Sequence, residues 1–267
     1  MELLTRIDYY LLLFMHDHCI KWAKYLTPFS KVLSFIGKDG IVLFIIAAIL
    51  MLFRKTRKIG ICVFGAIGAG AILSNIIVKD LIARPRPFET YNDIRTMWEA
   101  FGIKEYSQYS FPSGHCTAAM AFASAFGFAG ERDSKHWTLL LPLSMCFARC
   151  YLLMHYPSDC VAGLVFGFAG ALVSWIITSI IFKILNHWDE VPLFDFLLYW
   201  DLIDAIKEAR GINITDEEFY EDDEDEEEQE PVRKTSVKKE KVKEKKVKTD
   251  PKSDKASDGR TIFRAGD

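Results

Sequence analysis

Long apolar segments alternate with short polar ones over the first three quarters of the chain. The two clearest apolar segments, residues 59–78 and 161–184, are each long enough to cross a bilayer as a helix, which takes about 20 residues. Three further segments, residues 31–53, 116–130 and 137–154, are long enough or nearly so. The pattern predicts an all-α protein, a polytopic transmembrane helical bundle of five to six spans.

The sixth candidate span lies near the N-terminus, over residues 7–26. This segment is apolar on part of its circumference, but it also carries Asp8, His16, Asp17, His18 and Lys21. An amphipathic helix at the membrane interface and a transmembrane helix both fit this pattern.

The apolar pattern ends in the C-terminal quarter of the chain. Residues 188–206 mix aromatic, apolar and acidic side chains, which predicts an amphipathic helix at the membrane interface. The acidic run that follows, and the lysine-rich run after it, cannot bury enough apolar surface to offset the entropy of ordering, so a disordered charged C-terminal tail is expected. The predicted parts are an N-terminal amphipathic or first transmembrane helix (1–28), a membrane domain (29–186), an interfacial segment (187–212) and an acidic-then-basic cytoplasmic tail (213–267).

The charged tail has several conceivable partners. It is expected to be mainly solvated, with contact to anionic lipid headgroups or to another protein as the alternative. Nucleic-acid binding is not expected, because no aromatic residues interleave the lysines.

Two short loops carry the basic residues that the positive-inside rule uses. They are Arg54, Lys55, Arg57 and Lys58 in one loop, and Arg132 and Lys135 in the other. Both loops are predicted to be cytoplasmic, which places residues 79–115 and 149–159 on the extracytoplasmic side. The chain is therefore expected to be an integral protein of the plasma (inner) membrane.

Composition and cysteine content refine this picture only slightly. Half of the residues are hydrophobic and 26% are charged, but the charged residues are concentrated in the C-terminal part of the chain. The formal net charge of −3 therefore sums over an apolar region and a charged tail, and it predicts little about partners. The six cysteines have no CxxC or Cys/His ligand spacing, so they are expected to be small apolar residues and a zinc site is not expected. A disulfide among Cys116, Cys150 and Cys160 remains an alternative.

Gly163 and Gly167 favour close helix packing within the chain over a dimer face, and the oligomeric state stays open.

Three short clusters contain charged, histidine and small polar side chains within this otherwise apolar part of the chain. They are residues 79–87, 112–115 and 149–159. Cations can hold phosphoryl oxygens, a histidine can donate a proton or attack phosphorus, and a carboxylate can orient an imidazole. The clusters supply three cations, two histidines and one aspartate of this kind: Lys79, Arg86, Arg149, His115, His155 and Asp159.

The order and spacing of the clusters resemble the tripartite signature of the type 2 phosphatidic acid phosphatase family. Arg86 follows Lys79 after six residues, a PSGH sequence ends at His115, and Arg149 is followed after five residues by His155. This family includes integral-membrane lipid phosphatases and soluble vanadium haloperoxidases, and the match covers residues 25–186. The chain departs from the signature at Ala148, where the family usually has serine.

The resemblance implies a role for each matching residue. His155 would be the nucleophile, His115 the general acid that protonates the leaving oxygen, and Asp159 the residue that orients His155. The phosphate-binding residues would be Lys79, Arg86, Ser113, Gly114 and Arg149. No cofactor or metal ion is expected, because three cations neutralise the phosphate and no carboxylate cluster suited to magnesium accompanies them.

Local sequence features support these assignments. The family spacing favours Arg86 over Arg84, which leaves Arg84 as a boundary charge or headgroup contact. Ser113 is expected to present its hydroxyl to the phosphate at the start of a helix, where the N-terminus favours anions. Pro157 disfavours helix at the preceding residue, so a helix end there would bring Arg149 and His155 to one pocket.

These features predict a membrane lipid phosphatase that hydrolyses a phosphate monoester or pyrophosphate at the extracytoplasmic face through a phosphohistidine intermediate. Phosphatidylglycerophosphate, phosphatidic acid, undecaprenyl pyrophosphate and a lipid A phosphate are all candidate substrates, and the clusters do not choose among them. Two alternatives are a vanadate-dependent haloperoxidase-like oxidoreductase and a non-catalytic membrane adaptor that acts through its charged tail.

Overall fold

The structure, a computed structural model, describes residues 2–103, 108–130, 137–187 and 198–210. Within these ranges all regular secondary structure is helical and no strand occurs, as the sequence predicts. The α-helices are α1 (Glu2–Cys19), α2 (Ala23–Ile36), α3 (Ile41–Met51), α4 (Arg54–Ala71), α5 (Lys79–Ile82), α6 (Pro87–Thr90), α7 (Asn92–Ala100), α8 (Gly114–Ala129), α9 (Leu140–Tyr151), α10 (Pro157–His187) and α11 (Leu202–Ala209).

The protein is a membrane helical bundle. Among the described residues, Arg54–Thr90 and Pro157–His187 are long and apolar enough to cross a bilayer, and the bent pair Leu3–Ile36 and Lys38–Met51 passes the same test as a third span. Helix α10 shows its lipid-facing side as a stripe of exposed apolar residues along its whole length. The stripe consists of Val161, Val165, Phe168, Leu172, Ile176, Ile180 and Ile184. The count of five to six spans stays a prediction.

Small residues let α4, α8 and α10 pack closely in the centre of the bundle. A methyl group built on Gly163 would lie 2.6 Å from the carbonyl oxygen of Ser113, and one on Gly170 would lie 2.7 Å from the backbone nitrogen of Gly70. Neither distance is tolerated by a real side chain, so both positions require glycine. A methyl group on Gly167 would likewise clash with the carbonyl oxygen of Thr117, so the GxxxG pair Gly163 and Gly167 serves packing within the chain, as predicted.

The predicted single span over residues 31–53 is broken. Asp39 and Gly40 have φ values of 52° and 69°, in the left-handed region, and the helices on either side of Gly37 meet at 43°. Left-handed residues end the hydrogen-bonded ladder of a helix, so α2 and α3 are separate elements. The break places Lys38 and Asp39 at the cavity described below.

The segment that joins α5 to α8 folds onto the helices beside it. Phe88 stacks on Trp98 at a centroid distance of 4.2 Å, and the Trp98 Nε1–H donates to the sulfur of Met154 at 3.0 Å. Both aromatic side chains are almost fully buried. This packing fixes residues 87–100 against the turn that carries His155.

The segment after α10 docks at the other end of the bundle. Arg57 donates hydrogen bonds to the backbone carbonyls of Leu198 and Trp200, and the backbone N–H of Leu202 donates to the carbonyl of Leu52 at 3.1 Å. The amphipathic helix predicted over residues 188–206 is therefore helical from Leu202 onward, while residues 188–197 lie outside the described ranges. The tail also lies outside them, so its predicted disorder and the predicted domain boundaries stay predictions.

Candidate active site

The three clusters converge on one cavity of about 190 Å³ at the end of the bundle where α10 begins. Six of the eight predicted site residues line it: Lys79, Arg86, Gly114, His115, Arg149 and His155. Asp159 and Ser113 are fully buried behind this lining. The cavity is also lined by Lys38, Asp39, Asn75 and Gln108, which the sequence analysis did not single out.

Neutral oxygen atoms hold the three predicted cations in place. A π-helical segment, Ile72–Val78, carries the chain from α4 to Lys79, whose Nζ donates to Asn75 Oδ1 at 3.3 Å and to Gln108 Oε1 at 3.1 Å. Arg86 donates from Nε to the carbonyl of Gln108 at 2.8 Å and from Nη1 to the carbonyl of Met154 at 3.0 Å. These contacts keep the positive charges aimed at the cavity.

Helix α2 supports the side chains of two further site residues through Ser34. Arg149 Nη1 donates to Ser34 Oγ at 3.1 Å, and His115 Nε2 lies 3.2 Å from the Ser34 carbonyl oxygen. Because a carbonyl only accepts, Nε2 of His115 carries a proton and Nδ1 is the nitrogen that exchanges one. Ser34 has no place in the three clusters, so nothing in the sequence pointed to it.

The turn between α9 and α10 orients His155. Helix α9 ends at Tyr151, five residues before the predicted end at Tyr156, and Leu153 has a left-handed φ of 55°. His155 Nδ1 donates to the carbonyl oxygen of Ser110 at 2.8 Å, which leaves the lone pair on Nε2. Burial, reinforced by the three cavity cations, lowers the pKa of His155 well below its usual 6.5, so the ring is neutral at physiological pH.

Asp159 contacts His155 mainly through Ser110. Its Oδ2 atom is 3.8 Å from His155 Nδ1, which is too long for a direct hydrogen bond between the two side chains. The carboxylate instead accepts the Ser110 hydroxyl at 2.5 Å and the backbone N–H of Tyr156 at 3.0 Å. Ser110 was missed in the sequence because it lies just outside the second cluster.

The predicted role of Arg84 as a boundary charge or headgroup contact is wrong. Its side chain is only 7% exposed and lies between two carboxylates, 2.7 Å from Asp8 Oδ2 and 2.6 Å from Asp159 Oδ1. The guanidinium also stacks over the Tyr156 ring at 3.9 Å, and Asp8 accepts the backbone N–H of Ser158 at 3.0 Å. A buried ionic network thus joins the N-terminal helix to the carboxylate behind His155.

The second cluster forms the start of helix α8, as predicted. The first helical residue is Gly114, and Ser113 occupies the position before it. A methyl group on Gly114 would lie 2.9 Å from Asn75 Oδ1, so a larger residue here would force the Asn75 side chain to shift. The Ser113 hydroxyl does not line the cavity, contrary to expectation, although the helix N-terminus beside it does and favours an anion there.

Comparisons with known proteins agree with this geometry. A family model described as the PAP2 superfamily matches residues 59–183. A lipid A 4′-phosphatase of Bacteroides thetaiotaomicron is 27% identical, covering 66% of this chain and 79% of that protein. A decaprenylphosphoryl-5-phosphoribose phosphatase of Mycobacterium tuberculosis is 30% identical, covering 61% and 73%. A phosphatidylglycerophosphatase B of Haemophilus influenzae is 26% identical, covering 68% and 84%.

Proposed function

The chain belongs to the PAP2 superfamily of type 2 phosphatidic acid phosphatases and is a lipid phosphatase, and from that premise we propose that it works through a phosphohistidine at His155. The observation that carries the proposal is that two histidines and three cations line one small cavity, with Nε2 of His155 holding the lone pair. The relatives named above are all phosphatases, which favours this activity over the oxidoreductase and adaptor alternatives.

The first step is an in-line displacement at phosphorus. Burial and the neighbouring Arg149 lower the pKa of His115 well below 6.5, and the bound phosphate anion offsets this by attracting a second proton onto Nδ1. Nε2 of His155 then attacks the phosphorus atom, the bond from phosphorus to the lipid oxygen breaks, and the cationic His115 gives the leaving oxygen its Nδ1 proton. In the second step water attacks the phosphohistidine, His115 takes a proton from that water, and inorganic phosphate leaves. His155 and His115 are then back in their starting states.

The cations stabilise the charge that develops on the phosphoryl oxygens. Lys79, Arg86 and Arg149 are at most 7% exposed, so their attraction for an anion is screened less than it would be in water. Arg86 and Arg149 add directional N–H donors, and the N-terminus of α8 adds backbone N–H groups. No step of this scheme needs a metal ion.

The substrate is proposed to be a phosphate monoester or pyrophosphate of a membrane lipid. A cavity of about 190 Å³ is smaller than a site for a drug-sized ligand, which spans about 300–1,000 Å³, so it holds the phosphoryl end rather than the lipid body. The names of the relatives cover a lipid A, a polyprenyl and a glycerophospholipid substrate. Phosphatidylglycerophosphate, phosphatidic acid, undecaprenyl pyrophosphate and lipid A phosphates all remain candidate substrates.

The site is proposed to face the extracytoplasmic side. Arg54 begins α4 and Lys79 follows 25 residues later along nearly continuous helix, which separates them by about 37 Å. The basic loop at Arg54 is thus at the end of the bundle away from the cavity. The positive-inside rule places that loop in the cytoplasm and so supports an outward-facing site.

The test uses two leaving groups of different basicity. An alkyl lipid phosphate needs a proton on its leaving oxygen, whereas an aryl phosphate does not. We expect His115→Ala to lower kcat by about 10²–10⁴-fold on the lipid phosphate and far less on the aryl phosphate, and His155→Ala to be inactive on both.

Radiolabelled aryl phosphate should also leave an acid-labile, alkali-stable phosphoenzyme on the wild type and none on His155→Ala. His18→Ala is the control, because His18 is an exposed histidine on α1 whose loss should change neither activity. Turnover by a folded His155→Ala variant, or an equal loss on both substrates in His115→Ala, would contradict the mechanism.

A further inference from the structure

Four of the six cysteines lie together directly behind the active site. The Sγ atoms of Cys116, Cys146 and Cys160 are all within 4.8 Å of one another. Cys150 joins them, because its Sγ is 3.6 Å from that of Cys160. All four thiols are free in the structure, so the disulfide that the sequence left open is not formed.

Three of these cysteines directly follow a residue of the second or third cluster. Cys116 directly follows His115, Cys150 directly follows Arg149, and Cys160 directly follows Asp159. The thiol cluster therefore consists of residues from α8, α9 and α10, which are the helices that carry the second and third clusters. Sequence spacing gave no sign of it, because the helices bring together residues up to 44 positions apart, from Cys116 to Cys160.

The distances suit a thiophilic metal ion. Zinc takes thiolate ligands at about 2.3 Å in a tetrahedron, which separates the sulfur atoms by about 3.8 Å. The closest pair, Cys116 and Cys146, has an Sγ separation of 3.5 Å, and the whole group stays within 4.8 Å. Small side-chain rotations would bring three sulfurs to coordination distance, with Cys150 placed beside Cys160 as the fourth.

We propose that Cys116, Cys146, Cys160 and Cys150 form a structural binding site for a thiophilic d¹⁰ cation of the zinc type. Zn²⁺ bound by three thiolates, with the fourth cysteine still a thiol, carries one negative charge after three thiol protons are released. The neighbouring Arg149 contributes positive potential at Cys116, which offsets that charge. The bound ion would join the starts of α8 and α10 to the end of α9, and so fix the spacing between His115, Arg149 and Asp159.

This site is separate from the phosphate cavity and takes no part in the proposed chemistry. Of the four cysteines, Cys146 is the partly exposed one, and none of the four lines the phosphate cavity. Metal binding can therefore be measured without reference to phosphatase activity, and the proposal can fail while the phosphatase mechanism stands.

The experiment adds Zn²⁺ or Co²⁺ alone to the reduced full-length protein in detergent. We expect one ion per chain, a sulfur-to-cobalt charge-transfer band and a higher melting temperature on zinc addition. Cys116→Ser and Cys160→Ser should each weaken binding at least tenfold and remove the band. Cys62→Ser is the matched control, because Cys62 is also buried and free but belongs to the other core cluster, on α4.

Two outcomes would overturn the proposal. One is a reduced wild-type protein that binds no stoichiometric Zn²⁺ or Co²⁺, including a protein whose thiols only form disulfides on oxidation. The other is a Cys116→Ser variant that binds as tightly as the wild type. If Cys116→Ser fails to fold, the partly exposed Cys146→Ser gives the same comparison.

Discussion

Arg84 and Arg86 stand two residues apart in one Arg-Pro-Arg-Pro sequence, yet they belong to opposite regions of the molecule. Arg84 lies between the carboxylates of Asp8 and Asp159, away from the cavity. Arg86 lines the cavity and donates to backbone carbonyl oxygens. The charge of Arg84 is compensated by two carboxylates, so removing one partner leaves a buried charge uncompensated, whereas Arg86 is held by carbonyl oxygens and can direct its charge at a ligand.

The two regions meet at Asp159. Its carboxylate is shared between the Arg84 network and the Ser110 hydroxyl, while the Ser110 carbonyl accepts the His155 Nδ1 proton. Changes in the buried network should therefore reach the nucleophile through Ser110. Changes at Arg86 should act on the substrate directly.

The largest expected effect is on stability, from Arg84→Met. Removing this guanidinium leaves Asp8 and Asp159 facing each other in a buried site without their cation, which costs about 3–5 kcal/mol. A denaturation curve in detergent should show a large loss of unfolding free energy or melting temperature. A variant as stable as the wild type would show that the network is not a structural unit.

Arg86→Met should have the next largest effect, and on activity instead. We expect kcat/KM on a lipid phosphate to fall about 10²–10³-fold, as for the loss of one transition-state donor, with a melting temperature close to wild type. Arg86→Lys should recover part of the activity, since the charge returns but the planar fork does not.

Arg95→Met is the control for Arg86→Met, because Arg95 is an exposed arginine of α7 paired with Glu99 at 3.3 Å. It should leave both activity and stability unchanged. Equal stability losses in Arg84→Met and Arg86→Met would remove the distinction between the two regions.

The sequence predicts the parts of this molecule that are local. The apolar segments and the start of helix α8 follow from residue type, and the three clusters meet because each lies at the end of an apolar segment, whereas α9 ends five residues before the end predicted at Tyr156. The break between α2 and α3 was missed, because left-handed Asp39 is a conformation that the apolar pattern does not reveal. The chemical roles of the two histidines stay predictions.

Long-range pairing explains the rest of what the sequence analysis missed. Arg84 was misassigned because its partners Asp8 and Asp159 are 76 and 75 residues away, and Asp8 in isolation resembles an ordinary charge on an amphipathic helix. Ser34 supports two site residues from 81 and 115 positions away. Such contacts depend on how helices pack, which one sequence without a structure does not specify.

The smallest expected effect comes from Asp8→Asn, which tests whether the N-terminal helix positions the nucleophile. The amide keeps an acceptor oxygen for Ser158 but removes the charge that faces Arg84, so a loss of about 1–3 kcal/mol in stability is expected. Because Arg84 then draws Asp159 away from Ser110, kcat should fall severalfold while KM stays unchanged. Steady-state kinetics of the folded fraction measure this split.

Asp17→Asn is the matched control for Asp8→Asn, since Asp17 is an exposed aspartate on the same helix and should change neither kcat nor stability. Combining Asp8→Asn with Arg84→Met should cost less than the sum of the two, because the double variant has one buried carboxylate without its cation rather than two. Additive losses of stability would mean that Asp8 and Arg84 act independently. A change in KM alone in Asp8→Asn would mean that Asp8 affects substrate binding and not the position of His155.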